Sequence, residues 1–297
     1  MRRFFPHLLT GILLLSITGC SGGEVTNTAP VVQNTGKGKT EERSVSDFTS
    51  ISVTGGGDLF VTQGTTESLT VEADAGILPK ITTSVKNKTV NIDVDKSVDV
   101  SKTAPIKYYL TVKTVQAITI SGAANIEADS FKVDKLNFTS SGSGNIRLRE
   151  AEVKELTFTG SGTSNFDAAS VIADRVVATT KDSSVIAIRN LKGTSLELNL
   201  NGSGGASINE GEIVKQTIQI TQTGSYFASD LKSADAKISV VGPAEVQIWA
   251  TKTLQTKITG DSTVSYYGSP SVTNDGNSGQ VKSLGEKVLK NSAKTSN

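Results

Sequence analysis

Residues 115–173 read VQAITISGAANIEADSFKV (115–133), DKLNFTSSGSGNIRLREAEV (134–153) and KELTFTGSGTSNFDAASVIA (154–173). Each unit has an alternating apolar pair, a Ser/Gly turn, an Asn before an apolar residue, and a second apolar pair. Apolar residues spaced by two indicate strands. Gly at a corner permits backbone angles that other residues resist. Further units begin near Asp174, Thr194, Lys215, Asp235 and Leu254, with lengths of 19 to 21 residues. A unit this short cannot bury its own apolar face, so it must stack on neighbours. Short strands, turn signals and a fixed period near 20 describe the coils of a parallel β-helix. The rival is an antiparallel sandwich or barrel, with a hairpin in every half-period. It is disfavoured because like falls on like once in every unit, whereas a meander needs its period only statistically. Leucine-rich repeats share the period range, but their Leu-x-x-Leu-x-Leu signature is missing here.

Working outward, one apolar column holds Ile118, Leu136, Leu156, Val176, Leu196, Ile218 and Ile238. A second, after the turn, holds Ile126, Ile146, Phe166, Val185, Ile208, Phe227, Val246 and Val264. Gly122, Gly142, Gly162, Gly204, Gly242 and Gly260 precede members of that column by four, with Lys181 and Thr223 in the fourth and sixth units. Asn125, Asn145 and Asn165 form a third column, where stacked amides can hydrogen-bond rung to rung as a structural ladder. The glycines are corner geometry. Gly142-Ser-Gly144 and Gly202-Ser-Gly204 lack the Lys-Ser/Thr of a phosphate loop and do not open a helix.

The flanks divide the chain further. Residues 44–114 alternate strongly, with a Lys86-Asn87-Lys88 turn, and are expected to form an N-terminal β cap and first coils ahead of the repeats at 115–272. Residues 20–43 are polar and rich in Gly, Thr and Asn, suited to a flexible linker. Residues 273–297 turn polar and mildly basic, as a C-terminal cap and tail. At the start, Arg2 and Arg3 precede an apolar run from Leu8 to Ile17, too short to span a bilayer but suited to a signal peptide over 1–19. It ends Ile17-Thr18-Gly19-Cys20, which resembles the bacterial lipobox. That resemblance implies lipidation of Cys20 with fatty acids such as palmitate and cleavage before it. Several acyl chains would hold the protein stably to a membrane. Ser21, rather than Asp, implies sorting to the outer membrane, on its periplasmic or cell-surface face.

Composition limits the chemistry. The chain carries one His and one Cys, His7 and Cys20. After cleavage at Cys20 neither a free thiol nor an imidazole would remain. That excludes Ser-His-Asp and Cys-His catalysis and His or Cys metal sites. No cofactor and no metal site is expected. The calcium-binding Gly-Gly-x-Gly-x-Asp repeat is missing, because Asn stands where Asp is needed. Losing Arg2 and Arg3 leaves 28 − 29 = −1, so there is no general pull toward nucleic acid. Asp167, Asp174, Arg175, Lys181 and Asp182 supply residue types used by β-helix enzymes on acidic polysaccharides, but are read as a solvated surface. No insertion between coils makes a cleft wall. Trp249, Tyr226, Tyr266 and Tyr267 do not share a column that could line a groove.

Asp47-Phe48-x-x-Ile51-x-Val53, Gly55-x-x-x-Leu59-x-Val61-x-Gln63-Gly64, Leu78-Pro79-Lys80-Ile81 and Tyr267-Gly268-x-Pro270-x-Val272 occur in the order of the head GIN domain. The chain resembles that family, associated with autotransporter adhesins, over roughly Ser44 to Leu284. The resemblance implies a right-handed parallel β-helix on an exported, often lipid-anchored protein, and carries over no catalytic residue. The expectation is a non-enzymatic envelope lipoprotein presenting its β-helix for adhesion to a surface ligand, glycan or protein. The alternative is a polysaccharide-acting enzyme or carbohydrate-binding module on the same scaffold.

Overall fold

The computed structural model describes residues 38–276 and 278–287. Cys20, the leader and most of the linker lie outside them. The strands are β1 (Gly38–Arg43), β2 (Ser50–Gln63), β3 (Ser68–Asp74), β4 (Ile81–Lys86), β5 (Thr89–Val94) and β6 (Lys107–Val112). Then come the long wraps β7 (Ala117–Gly142), β8 (Asn145–Gly162), β9 (Asn165–Asp182), β10 (Val185–Gly202), β11 (Gly205–Thr221), β12 (Ser225–Val241) and β13 (Glu245–Thr259). The short β14 (Thr263–Tyr267), β15 (Ser271–Asn274) and β16 (Gln280–Ser283) complete the last rungs. The only helices among the described residues are two 3₁₀ turns, at Leu78–Lys80 and Val100–Lys102.

From β7 to β12 each wrap lies parallel on the next, one coil further along the chain. Ile126 sits opposite Ile146, Ile146 opposite Phe166, and the row continues through Ile186, Ala206 and Tyr226. β7 is longer than one coil, so its end lies on its own beginning. The Asn137 N–H donates to the Gln116 carbonyl at 2.8 Å and the Ser143 N–H to the Gly122 carbonyl at 3.0 Å. The period tightens at the C-terminal end. Ala228 faces Ile248, but after a register shift Ala236 faces Leu254, and Val246 faces Val264. The structure is thus a parallel β-helix, as the repeat implied, with coils of roughly 20 residues.

The columns of this helix differ in detail from those expected. Leu136, Leu156, Val176 and Leu196 do share a column, but it continues into Gln216, Ala236 and Leu254. Ile218 and Ile238 belong two positions on, in the column of Phe138, Phe158, Ala178 and Leu198. Likewise Val185 and Phe227 point outward, and the inward residues beside them are Ile186 and Tyr226. A slip of two positions, as for Ile218 and Ile238, leaves an apolar residue inward, and the slip of one at Val185 and Phe227 is concealed because apolar or aromatic residues occupy both faces there. The true register exposes a buried polar cluster. The Tyr226 hydroxyl donates to Gln216 Oε1 at 3.0 Å, Gln216 Nε2 donates to Ser233 Oγ at 2.7 Å, and Ser233 Oγ donates to the Trp249 carbonyl at 2.8 Å. Burial holds the Tyr226 phenol protonated far above its usual range, so it is a permanent donor. A second buried polar pair, Ser164 Oγ and Ser184 Oγ, lies 3.1 Å apart, and most of the remaining core is apolar. Phe166 packs against Phe158 and Phe138 with ring centroids 5.0 and 5.5 Å apart.

The corner explains the glycines. Gly122, Gly142, Gly162, Gly242 and Gly260 all have positive φ, between 78° and 122°. The same corner is held by Gly202 rather than Gly204, and by Asp182 and Gln222 rather than Lys181 and Thr223. Those two non-glycine residues sit at φ 59° and 77°, nearer the left-handed helical region that an L-residue tolerates. At Gly142 a Cβ would lie 2.3 Å from the Gly122 carbonyl oxygen on the rung below. A side chain there must open the ladder.

The first rung is where the parallel stack is capped. β2 faces β7 from Ser50↔Ala117 to Val61↔Ala128, a far longer displacement than one coil. The excursion 64–116 therefore sits on the far side of β2 as two arms. β5 lies parallel on the first half of β2, with β4 antiparallel to it through a turn at Asn87 and Lys88, both with positive φ. Such a turn matches the twist of a two-residue hairpin. β6 lies on the second half of β2, followed by antiparallel β3 and β1. Gly55-Gly56-Gly57 lets the cap seat on the corner, since a Cβ at Gly57 would meet the Tyr108 ring at 2.7 Å and one at Gly56 would meet Val100 at 2.9 Å. Tyr108 is buried there and donates its hydroxyl to the Gly56 carbonyl at 3.2 Å. The outermost strand, GKTEER, is exposed and charged, which discourages further strand addition.

Two substitutions in the corner column should move stability in opposite directions. Gly142→Ala should cost at least about 1–2 kcal/mol through its positive φ and the clash with Gly122. Gln222→Gly should be neutral or stabilising by up to about 1 kcal/mol, because it relieves a strained φ at an exposed site. Denaturant unfolding of the two variants beside the parent checks both signs.

Candidate functional site

In a regular coil the inward-outward alternation breaks three times, as at Ser121–Ala123, Asp129–Ser130 and Asp134–Lys135 in β7. The coil therefore has three sides. On the first, the outward positions of the early rungs are Ser, Thr and Asn, such as Thr119, Asn137, Thr139, Thr157 and Thr159. The second side carries Asn125 and Glu127, the third Lys132 and Asp134, and Lys135 stands just past the corner after it. Because like residue positions repeat at about 4.8 Å, equal charges in one column would repel. The columns alternate in sign instead. Lys132 Nζ lies 2.7 Å from Glu152, Lys154 lies 3.0 Å from Asp134, and Lys135 lies 3.6 Å from Glu155. On the second side Arg147 pairs with Glu127 at 3.4 Å, Arg149 with Asp129, and Arg189 with Asp167 at 3.5 Å. The sign change from one coil to the next is present in the sequence but was not among the expected columns, which followed apolar residues, Gly and Asn only.

The Asn column is continuous. Asn125 Nδ2 donates to Asp58 Oδ1 at 2.9 Å, Asn145 Nδ2 to Asn125 Oδ1 at 3.1 Å, and Asn165 Nδ2 to Asn145 Oδ1 at 2.8 Å. The Asn145 backbone N–H also reaches Asn125 Oδ1 at 3.1 Å. The chain of amides starts on the carboxylate of Asp58, a residue outside the repeat that spacing alone did not connect to it. It stops where Val185 takes the next place.

The residues weighed as a carboxylate-and-cation cluster do not come together. Asp167 is on the second side and paired with Arg189, while Arg175 pairs with Glu197 at 2.7 Å. Asp182 is a corner residue whose Oδ2 accepts the Gly162 N–H at 3.0 Å. No group of three His, Cys, Asp or Glu side chains able to hold a metal occurs among the described residues. Of the aromatics considered, Tyr226 is buried, and Tyr267 lies opposite Trp249 beneath the Lys287 ammonium at 4.3 Å.

Two concavities stand out. One, of about 710 Å³, lies where the excursion 94–100 stands beside the Gly55 and Gly122 corners, with Val94, Val98 and Val100 on its wall. This wall comes from the cap, the one place where the regular coil is interrupted by a long segment. The other, of about 410 Å³, runs along the second side from Phe60 past Glu127, Arg147, Arg149 and Asp167 to Arg189. Phe60 is backed by Tyr109, with ring centroids 5.3 Å apart and planes 15° from parallel. This pair escapes any search for aromatic columns, because Phe60 and Tyr109 belong to the cap and not to the repeat.

A capped parallel β-helix with laddered sides is the class of protein these features define. The chain belongs to the family described as "Putative auto-transporter adhesin, head GIN domain", whose model matches residues 47–221 and 208–270. Its fold is similar to that of a crystal structure described as a putative adhesin from Parabacteroides distasonis, with TM-score 0.66, 21% identity, and coverage of 85% of this chain and 99% of the other. A structure described as a putative lipid binding protein from the same species has TM-score 0.64 and 20% identity, covering 84% of this chain and 98% of that one. A putative adhesin from Parabacteroides merdae has TM-score 0.61 and 19% identity, covering 84% and 98%. No curated protein sequence matches the chain significantly.

The ladder makes its own prediction. Asn145→Ala removes a donor and an acceptor from the middle of the row and should destabilise by about 1–2 kcal/mol, while Asn165→Ala at its end should cost roughly half as much. Equal costs, or none, in chemical denaturation would show that the amides contribute only side-chain packing.

Proposed function

We propose that the protein is a non-enzymatic adhesion protein, held at the outer membrane through lipid on Cys20, that presents the sides of its β-helix to a surface ligand. The observation that carries this reading is how the coils use their charged groups. Acidic side chains on the second and third sides pair with cations on neighbouring rungs. Even where Glu127, Asp129 and Asp167 share the groove beside Phe60, each is paired with an arginine. Catalysis by paired carboxylates needs two such groups facing one bond, with their protonation set apart by environment. The family membership and the adhesin descriptions of structural neighbours support the same reading. The lipobox-like Ile17-Thr18-Gly19-Cys20 supports the anchor, and a polar tether after it would let the β-helix stand clear of the membrane.

The test is made in the bacterium that produces the chain. Deleting its gene should lower attachment to glycan- and matrix-coated surfaces several-fold, and the intact gene should restore it. Cys20→Ala should neither take up labelled palmitate nor restore attachment. Unchanged attachment in the deletion strain, together with release of reducing ends from polysaccharide by the purified chain, would replace adhesion with enzymatic action.

A further inference from the structure

We propose that the groove beside Phe60 binds a neutral saccharide chain lying along the β-helix axis. This rests on the adhesion reading above and names its ligand class and site. β2 runs between β6 and β7, so Phe60 has Tyr109 opposite it on one side and Glu127 on the other. Tyr109 covers one face of the Phe60 ring. Phe60 lines the groove together with Glu127, its neighbour on the side away from Tyr109. Tyr109 is itself fixed by a hydrogen bond from its hydroxyl to Glu72 at 3.2 Å, so the aromatic wall is braced before any ligand arrives.

Beyond the ring, polar groups follow on successive rungs. Glu127, Arg147 and Asp167 form one row behind Phe60. A second row holds Asp129, Arg149 and, two rungs further, Arg189, with the small Ala169 leaving a gap between the two arginines. Four rungs at about 4.8 Å make a track of roughly 14 Å. Its charge sums to zero, three carboxylates against three guanidiniums. Each pair places hydrogen-bond acceptors beside donors, and a hydroxyl is both. A pyranose offers the matching surfaces, one face of C–H groups for the aromatic ring and a rim of hydroxyls for the paired charges. The side chains of these pairs are 43–70% exposed, so a neutral ligand can share their hydrogen bonds without burying a lone charge. A strongly anionic or cationic ligand would have to break the pairing instead.

The probes are neutral hexose and N-acetylhexosamine tetrasaccharides and their sulfated counterparts, titrated calorimetrically into the purified full chain. At least one neutral tetrasaccharide should bind saturably, with an affinity little changed by near-molar salt, and no sulfated counterpart should bind better. Phe60→Ala should weaken binding at least about tenfold and Phe60→Tyr should retain it. Ala169→Arg fills the gap in the groove from outside the core and should abolish binding while circular dichroism shows the β-helix still folded, its unfolding temperature only modestly lowered by the like charges of Arg149 and Arg189. The site is overturned if no neutral tetrasaccharide binds, if only sulfated ones do, or if binding survives both Phe60→Ala and Ala169→Arg. Bacteria carrying Ala169→Arg separate the two proposals. Full attachment with this variant would sink the groove and leave adhesion standing, whereas tetrasaccharide binding by a chain whose deletion leaves attachment unchanged would sink adhesion and leave the groove.

Discussion

Registered stacking of one coil on the next is the constraint from which the rest of this structure follows. When each residue lies directly on its counterpart in the next coil, a side chain has its own column as its nearest environment. Hydrogen bonds between rungs hold the spacing at about 4.8 Å, so each column must be compatible with itself at that distance. Four solutions appear. Apolar columns repeat inside, amides ladder from Asp58 to Asn165, charges alternate in sign from Lys132 to Glu152 and from Asp134 to Lys154, and the corner repeats a positive φ. The core adjusts volume within the same rule. Phe158 stands beside Gly160, where a Cβ would lie only 2.7 Å from the ring. The buried Gln216 is tolerated because Tyr226 and Ser233 supply its partners, in keeping with the cost of an unpaired buried polar group.

A stack of identical rungs has two ends, and an open rung would offer unpaired backbone groups to other chains. At the N-terminal end the chain answers by replacing one parallel rung with two antiparallel arms built on β5 and β6. The three glycines at 55–57 are the contact that makes this possible, because Val94, Val100, Ile106 and Tyr108 all come within Cβ distance of them. The cap has a consequence for function. It interrupts the regular surface and brings Phe60 and Tyr109 together beside the first charged rungs. Aromatic and ionic groups are thereby joined at one position on an otherwise repetitive side.

Much of this was legible in the sequence because the repeat prints the contact map directly. The period, the coil, the apolar interior, the Asn column and the hairpin at Lys86–Thr89 could be read from residue spacing. Register within a column was less secure. Since every second residue points inward, sliding Ile218 or Ile208 by two still places an apolar residue inside, and Gly204 satisfies the glycine spacing as well as the true corner, Gly202, does. Only backbone angles distinguish them. The Phe60–Tyr109 wall was hidden for a different reason. Its two rings come from opposite ends of a long, non-repeating excursion, so no periodicity connects them. The alternating charges were present in the spacing but are visible only when sign, and not merely polarity, is followed from coil to coil.

Deleting part or all of one rung gives the most direct test of registered stacking. Removing Lys154 to Ala173 takes out one full period and joins Val153 to Asp174, whose columns already match. Removing Lys154 to Thr163 takes out half a period and places turn residues where core residues belong. The account predicts that the full-period deletion unfolds as cooperatively as the parent in a circular-dichroism thermal scan. The half-period deletion should lose its transition, since exposing several large apolar side chains at roughly 1.5–3 kcal/mol each exceeds what a typical domain can lose. A half-period deletion that folds while the full-period deletion does not would contradict the stacked-coil account.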